Sequence, residues 1–431
     1  ARRGQLWVQN GSTTSIDLLR VDFVDGFGDE GGAIYTRDNA GPLTITDCTF
    51  ENCSVREAGG YEGYGGAIYR NGGELTVTNT SFVGCEADRR GGAIYAFGGG
   101  TRTITDCTFE NCRVQNATEA WGGALCLVDS PTTAITGSTF TGNASENILD
   151  GQTTYAWGGG LFQSGGTLTM SDTTFQSNRA TGTADGGGSR NAGGAAIYLD
   201  NLLADFTQVD FLDNVASAPG SGGTYARGGA IHAYANYSSF KRCRFEGNQA
   251  TVAGGNDDGK GGAVFGRQST RPSFYYCDFA SNSARRGGAH FYESGCEPFL
   301  IGTSVRGNVA SESGGGLHSE SATPYILGCA FQANDAPDGG AIKSTGSGTS
   351  LPYVVDVEFC GNTVDDISGE ILGGDGNTSI ATCDGDCNGN GLPDIDEPEV
   401  PDVDGNGIPD TCETDCDEDG FPDLYPLSAG L

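Results

Sequence analysis

The chain has 431 residues, of which 73 are Gly and one is Met, and its formal net charge at pH 7 is −33. Such an acidic chain lacks the basic surface that nucleic-acid binding requires, so we expect no nucleic-acid partner. No run of eighteen apolar residues occurs, so we expect no transmembrane segment. Thr, Ile, Val, Tyr and Phe recur in short runs, which is typical of β-structure.

The 15 Cys recur at regular spacings and predict disulfides, hence an oxidising compartment. The chain opens at Ala1 without a signal peptide, and we interpret it as a processed or partial secreted protein. The expected location is therefore extracellular or on the cell surface.

Residues 1–30 have short apolar runs that suggest one coil, and a repeat organises the chain from Gly31 to about Gly374. Each unit opens on Gly-Gly-Ala-Ile-Tyr or a variant and reaches a Phe-x-x-Asn or Phe-x-x-Cys signature about twenty residues later. The motif or a variant of it starts at Gly31, Gly65, Gly91, Gly122, Gly158, Gly194, Gly228, Gly261, Gly287, Gly314 and Gly339. A recurring unit of this length indicates a solenoid.

Alternating runs such as Leu43-Thr-Ile-Thr46 predict half-buried strands, and three short strands per unit predict a stacked coil. We therefore predict an all-β fold, a right-handed single-stranded parallel β-helix of about twelve coils over residues 1–375, followed by a small loop-rich calcium-binding repeat segment over residues 376–431. The paired Gly predicts a tight corner. One inward column is predicted to contain Ile34, Ile68, Ile94, Leu125, Leu161, Ile197, Ile231, Val264, Leu317 and Ile342.

All length variation between units falls at one corner of the coil. The long connections are 54–64, 113–121, 144–157, 179–193, 215–227 and 249–260. We expect these insertions to stack as a ridge, either as a binding face or as flexible surface loops. Their aromatic residues are Tyr61, Tyr64, Trp121, Tyr155, Trp157 and Tyr225.

Three columns of equivalent residues follow from the repeat. We interpret the first as a hydrogen-bonded ladder that contains Asn143, Asn178, Asn214, Asn248, Asn282, Asn308, Asn334 and Asn362. The second column is aromatic and contains Tyr35, Tyr69, Tyr95, Phe162, Tyr198, Phe265 and Phe291. It could be a stacking platform for sugar rings, but we favour the interpretation that these rings pack against each other across strands. The third column contains Cys residues, for which we predict disulfides between successive coils. Cys85 would pair with Cys53 or Cys112, and Cys243–Cys277 is the favoured pair. The alternative is local pairing, Cys48–Cys53 and Cys107–Cys112.

Three acidic segments near the end of the chain share one spacing of oxygen-bearing side chains around a Gly. That spacing suits Ca²⁺, a hard cation with six to eight oxygen ligands, and we predict Ca²⁺ as the cofactor. The third segment has Pro426 at the last position and should be the weakest. The predicted metal ligands are Asp386, Asn388, Asn390, Asp394, Glu397, Asp402, Asp404, Asn406, Asp410, Glu413, Asp415, Asp417, Asp419 and Asp423.

Catalytic candidates are few, and no catalytic or other cofactor-binding residue is assigned. His290 falls in the inward column, and His232 and His318 fall in the aromatic column too far apart for one metal. Asp47, Asp106 and Asp172 share a column in non-adjacent coils. The candidate site for lyase-like chemistry is Asp257 and Asp258 with Lys260 and Arg227.

The Gly-Gly-Ala-Ile and Phe-x-x-Asn signatures resemble the repeat of polymorphic outer membrane proteins and of secreted bacterial right-handed parallel β-helix proteins. That resemblance covers residues 20–375 and implies surface exposure and adhesive or structural roles. The acidic segments resemble thrombospondin type-3 and dockerin-like calcium repeats, in which Cys383, Cys387, Cys412 and Cys416 would staple the loops.

We therefore expect a secreted or cell-surface structural and adhesive protein that is not an enzyme and that self-associates end to end into an extracellular fibre. The expected partners are other copies of the chain in head-to-tail contact, and extracellular glycans or a host or neighbouring cell surface. The alternative is an extracellular polysaccharide-processing enzyme, a lyase or glycoside hydrolase, on the same scaffold.

Overall fold

The computed structural model describes residues 4–8, 15–37, 41–57, 62–115, 118–147, 153–183, 189–220, 223–253 and 258–380. These residues form no helix, and their strands lie in three parallel sheets of 13, 24 and 15 strands. The strands of the first sheet, which number the coils 1 to 13, are Leu6–Val8, Ile34–Thr36, Ile68–Asn71, Ile94–Phe97, Leu125–Val128, Leu161–Ser164, Ile197–Asp200, Ile231–Tyr234, Val264–Arg267, His290–Tyr292, Leu317–Ser319, Ile342–Ser344 and Ile367–Ser368.

The other two sheets complete each turn of the coil. The strands of the second sheet are Ile16–Leu19, Asp22–Val24, Leu43–Thr46, Thr49–Glu51, Leu75–Thr78, Ser81–Val83, Arg102–Thr105, Thr108–Glu110, Thr132–Thr136, Thr139–Thr141, Thr167–Gln176, Leu203–Leu212, Tyr237–Lys241, Arg244–Glu246, Arg271–Tyr275, Asp278–Ala280, Phe299–Ile301, Ser304–Arg306, Tyr325–Leu327, Ala330–Gln332, Tyr353–Val355, Glu358–Cys360, Leu372–Gly373 and Thr378–Ile380. The strands of the third sheet are Phe27–Gly28, Ser54–Val55, Glu86–Ala87, Arg113–Val114, Glu119–Trp121, Ala144–Asn147, Thr154–Trp157, Arg179–Gly182, Arg190–Gly193, Val215–Ala218, Thr224–Arg227, Gln249–Val252, Asp258–Lys260, Ser283–Arg286 and Val309–Ser313.

All strand pairings are parallel and join successive coils. The chain is a right-handed parallel β-helix, as the repeat predicts. The predicted inward column is confirmed, since Ile34, Ile68 and Ile94 are paired in register and fully buried. Coil 13 has no Gly pair before its first-sheet strand, so the repeat signature alone does not reveal it.

The paired glycines form the corner that leads into the first sheet. The first Gly of each pair has a positive φ, for example 58° at Gly31. The second faces the backbone of the next coil, where a Cβ on Gly66 would lie 2.0 Å from the carbonyl oxygen of Gly92. At the first position the positive φ favours Gly, and at the second position the next coil leaves little room for a Cβ, so the predicted reason for the Gly pair is confirmed. The unit that opens at Gly194 is an exception, since its second position is the buried Ala195.

The interior is filled by stacked side chains. A continuous column of Phe rings runs through coils 1–9, with centroid separations such as 4.9 Å between Phe82 and Phe109 and 4.4 Å between Phe140 and Phe175. Arg102 is also fully buried there, and its guanidinium donates hydrogen bonds to the carbonyl oxygens of Gly73 and Gly98 at the adjoining corner. Burial lowers the pKa of Arg102 to about 10.

The predicted asparagine ladder is confirmed. In coils 5–11 each amide Nδ2 donates to the Oδ1 of the next Asn, at 3.0 Å for Asn178 to Asn214 and 2.9 Å for Asn214 to Asn248. Asn362 in coil 12 ends the ladder, and its Nδ2 donates to Asp366 Oδ1 at 2.9 Å. The same Nδ2 also donates to a carbonyl oxygen in the preceding coil, which belongs to Val305 for Asn334 and to a Phe for the others, at 3.0 Å for Asn214 to Phe175. These buried amides therefore hold each coil to both of its neighbours.

The predicted disulfides between described cysteines are wrong. The free thiols are Cys48, Cys53, Cys85, Cys107, Cys112, Cys126, Cys243, Cys277, Cys296 and Cys329. Equivalent cysteines do stack in adjacent coils, but the thiols donate to main-chain carbonyl oxygens, at 3.5 Å from Cys277 Sγ to Phe240 and 3.6 Å from Cys85 Sγ to Phe50. Cys360 is disulfide-bonded.

The insertions form a ridge on one side, as predicted, and they are built from strands. The insertions between Arg113 and Lys260 each have an outgoing and a return strand, and both strands pair in parallel with the next coil. The described part of the first insertion has only the outgoing strand Ser54–Val55. We call these paired ladders, from Arg113 to Lys260, the wing. A seam of buried alanines packs between the two ladders: Ala156, Ala180, Ala192, Ala216, Ala218, Ala226 and Ala250. Ser283–Arg286 pairs with both ladders and closes the wing.

Candidate functional site

The return strands of the wing cover the aromatic column on the outer face of the first sheet. Trp121 stacks on Phe162 with centroids 4.6 Å apart, and Trp157 lies 4.9 Å from Tyr198. Phe162 is 3% exposed and Phe265 is fully buried. The column is therefore the core of a second packing layer, as the favoured interpretation of the sequence predicts, and its ring faces are not open to sugars.

Cations line the edge of this layer in coils 7–9. The residues immediately before the Gly pair are Arg227, Lys260 and Arg286, and parallel pairing places them side by side. Arg227 lies 5.3 Å from the centroid of Phe265, and Lys260 Nζ lies 4.5 Å from that of Phe291. These distances are in the range of cation–π contacts.

Carboxylates close the network around these cations. Asp258 Oδ2 lies 3.1 Å from Arg227 Nη2 and 3.3 Å from Lys260 Nζ, and Asp258 Oδ1 accepts a hydrogen bond from Arg286. Lys260 Nζ also lies 3.3 Å from Glu293 and 3.1 Å from Glu320. We call these six residues the charge cluster.

The centre of the charge cluster is largely buried, while Glu320 at its edge is partly exposed, and its three positive charges are balanced by three carboxylates. Lys260 is only 6% exposed. Burial by itself would raise the pKa of Asp258, but Lys260, Arg227 and Arg286 outweigh it and hold that pKa below its usual range. The carboxylate is therefore a weak base with its oxygens occupied, and the arrangement favours fastening the wing to coils 9–11 over proton transfer.

Three of the four residues singled out for lyase-like chemistry meet in the charge cluster, namely Asp258, Lys260 and Arg227. Asp257 lies outside the described residues. Sequence reasoning missed Arg286, Glu293 and Glu320. Aligning the repeats on their Gly pair would have found Arg286, because it occupies the same position as Arg227 and Lys260. Glu293 and Glu320 come from later coils and have no local signal.

The histidines lie where the repeat predicts. His290 is fully buried in the inward column, 3.0 Å from the hydroxyl of Tyr292, and burial lowers its pKa to about 3. His232 and His318 lie in the aromatic column with Phe265 and Phe291 between them. Burial lowers the pKa of both, to about 4 for His318. These separated, neutral side chains do not form a site together.

The aspartate column is likewise structural. Asp47 and Asp106 occupy corners with φ of 52°, two coils apart, with Asn79 between them. Asn79 Nδ2 donates to Asp47 Oδ1 at 2.7 Å. Short polar side chains suit this left-handed corner.

All fourteen predicted Ca²⁺ ligands, from Asp386 to Asp423, lie outside the described residues. Among the residues that the structure does describe, no three His, Cys, Asp or Glu side chains are grouped so as to hold a metal ion. The described residues also form no helix of the length and hydrophobicity that crossing a lipid bilayer requires.

Comparison with known proteins agrees with the architecture. Residues 31–232 match the family model described as a right handed beta helix region. No curated protein and no solved structure matches the chain. From the parallel register of its coils and from this match, the chain is a right-handed parallel β-helix repeat protein.

Proposed function

We propose that the chain is a secreted or cell-surface structural and adhesive protein that assembles end to end. The observation that carries this proposal is that the ladders of the first two sheets continue without a break through 13 coils, which gives a filled rod about 60 Å long at about 4.8 Å per coil. The disulfide at Cys360 and the net charge of −33 support an extracellular setting.

End-to-end assembly is supported by the first coil. Within the described residues, Ile16–Leu19 pairs only with Leu43–Thr46, and Asp22–Val24 pairs only with Thr49–Glu51. The outward side chains Leu19 and Val24 are 57% and 46% exposed. Strand edges that carry apolar side chains are templates for another chain.

Electron microscopy and sedimentation of the full chain test this assembly. Filaments are expected, and Leu19→Lys should shorten or abolish them because a charge at an edge strand opposes pairing. Leu203→Lys is the matched control, since Leu203 is 55% exposed in the middle of the rod. A wild-type chain that stays monomeric at high concentration, or equal effects of the two substitutions, would reject assembly through the first coil.

We also propose that residues 376–431 bind Ca²⁺ and stiffen the end of the rod. The support is the repeated oxygen-ligand spacing, with Glu397 and Glu413 as bidentate ligands. Calorimetric titration should show binding that is lost in Glu397→Gln combined with Glu413→Gln and retained in Glu399→Gln. Chelation that dissolves filaments would place this segment at the joint, whereas unchanged binding in the double variant would contradict the ligand assignment.

A polysaccharide-processing enzyme is the second candidate, favoured by the grouping of Asp258 with Arg227, Lys260 and Arg286. An acidic polysaccharide would have to displace Asp258 from these cations to bind there. Release of unsaturated or reducing sugars that is lost in Asp258→Asn and kept in Asp205→Asn, on another face, would establish this activity. No release from a panel of acidic polysaccharides would remove it.

A further inference from the structure

The outer face of the second sheet has two straight rows of small side chains in coils 2–6, and nine of these ten side chains have a hydroxyl group. Each coil contributes a Thr-x-Thr triplet or a close variant, whose middle residue is buried. The first row contains Thr44, Thr76, Thr103, Ala134 and Thr169, and the second contains Thr46, Thr78, Thr105, Thr136 and Ser171. We call these ten residues the threonine face.

The threonine face is regular in two directions. Its strands pair without a register shift, so equivalent side chains recur about every 4.8 Å along the rod, and the two rows are about 6.7 Å apart along each strand. The middle residues Ile45, Val77 and Ile104 are fully buried against the Phe column. The β-branched side chains on top are stiff at χ1, so both repeats are fixed.

The chemistry of the threonine face is uncharged and half apolar. The hydroxyls of coils 2–4 hydrogen-bond to no other described residue, so they are available to water. At the far end, Ser171 Oγ donates to Thr136 Oγ1 at 3.4 Å. Each Thr thus presents a methyl group and a hydroxyl to solvent at a fixed position.

The sheet by itself does not impose these residues. In the same two columns, coil 1 has Asp17 and Leu19, and coil 7 has Asp205 and Thr207. Coil 8 has Ser239 and Lys241, coil 9 has Ser273 and Tyr275, and coil 10 has Phe299 and Ile301. Threonine is common on exposed strands, but that preference would act equally on all coils, whereas only in coils 2–6 do small uncharged side chains occupy both columns.

A surface that repeats in two directions matches a ligand that also repeats in two directions. The smaller spacing is close to the repeat of water oxygens along the a axis of hexagonal ice, and the larger approaches the repeat along the c axis. Hydroxyls can join the water lattice while the methyl groups occupy its gaps. We propose that the threonine face adsorbs to ice crystals.

Crystalline polysaccharide is the rival periodic surface. Proteins that bind sugar rings present aromatic ring faces, and none of the ten residues of the threonine face is aromatic. Water ice therefore fits the chemistry better. This inference depends neither on end-to-end assembly nor on Ca²⁺ binding, so it can fail or succeed without either.

The test compares Thr103→Tyr with Ser239→Tyr in the full chain. Thr103 is at the centre of the threonine face, and Ser239 is half-buried in the same column four coils further on. Thermal hysteresis and enrichment of labelled protein in slowly grown ice are measured. Wild type and Ser239→Tyr should show both, whereas Thr103→Tyr should fall to the level of an inert protein.

Absence of hysteresis and of ice enrichment in the wild type would overturn the proposal, as would equal behaviour of the two variants. Binding of the wild type to crystalline cellulose or chitin without enrichment in ice would also overturn it. If circular dichroism shows that Thr103→Tyr is unfolded, Thr76→Val with Thr105→Val replaces it. That variant removes two hydroxyls at nearly constant shape and should lower the hysteresis.

Discussion

Asn214 illustrates how a single side chain joins three coils. Its Nδ2 donates to Phe175 in one neighbouring coil and to Asn248 in the other. Its Oδ1 accepts hydrogen bonds from both the side chain and the backbone nitrogen of Asn178, each at 3.0 Å. All of this hydrogen bonding takes place out of contact with water, where an unmet polar group is costly.

Replacing Asn214 with Ala should lower the free energy of unfolding by about 3 kcal/mol, because it leaves the amide of Asn178 and the carbonyl of Phe175 unpaired in the interior. Denaturant unfolding followed by circular dichroism measures the change. Asn71→Ala, in a half-buried outward position, is the control and should cost less than about 1 kcal/mol. Similar losses in the two variants would mean that the ladder adds little stability.

Val364 has a backbone conformation that is unfavourable for its β-branched side chain. Its φ is 62°, in the left-handed region that β-branched residues avoid, and its side chain is 72% exposed. Val364→Asn should therefore stabilise the chain by about 1 kcal/mol, since Asn tolerates this region. Val309→Asn, in an exposed strand with ordinary φ, should destabilise it, and a stability loss in Val364→Asn would contradict the argument.

At the scale of the element, the repeat predicts the coil well because its signals are local. The Gly pair predicts a corner, the alternating strand predicts which face is buried, and the Phe-x-x-Asn signature predicts the asparagine ladder. The wing was only partly predictable, since Gly- and Ala-rich insertions look like loops until equivalent strands such as Thr154–Trp157 and Arg190–Gly193 stack. The charge cluster was missed in part because Glu293 and Glu320 reach it from later coils.

The stacked cysteines are an element that the sequence describes ambiguously. Two cysteines at equivalent positions of adjacent coils lie close together whether they form a disulfide or remain thiols that each donate a hydrogen bond to a carbonyl oxygen. Sequence spacing alone therefore does not distinguish a disulfide from two free thiols. Burial raises the pKa of Cys277, and contact with Cys85 raises that of Cys53, which disfavours the reactive thiolate.

Alkylation followed by mass spectrometry tests the thiol state. In denaturant without reductant, peptides that contain Cys48, Cys85, Cys243 and Cys277 should be fully modified, and in the native protein they should be protected by burial. The Cys360 peptide should react only after reduction and serves as the control. Modification of Cys243 and Cys277 only after reduction would show that these two thiols are joined.

At the scale of the whole molecule, the three histidines make stability depend on pH. Burial lowers the pKa of His290 to about 3 and of His318 to about 4, and lowers that of His232 well below 6.5. Below pH 6.5 the unfolded chain binds these protons and the folded chain does not, so stability falls as the pH falls. Asp258, Glu86 and Asp338, whose pKa values are lowered, add to this loss only in more acidic solution.

His290→Leu should reduce this dependence by about 1.4 kcal/mol per pH unit between pH 5.5 and pH 4.5. Leu suits the site because Val264 and Leu317 occupy the same column in the adjoining coils. The measurement is the free energy of unfolding at several pH values. His290→Leu leaves the Tyr292 hydroxyl without its partner, which lowers stability at every pH but does not change the slope. An unchanged slope would mean that His290 is protonated in the folded chain.

Because coils 2–6 share one register, the length of the rod can change without changing its cross-section. Thr76 and Thr103 are equivalent positions in consecutive coils, so removing residues 76–102 would join Leu75 to Thr103 and excise one complete turn. Since each turn contacts only those beside it, the shortened rod would keep its cross-section and the rest of its surface. Such a chain can therefore gain or lose whole turns by duplication or deletion, and the extent of a face such as the threonine face can change without redesign of its chemistry.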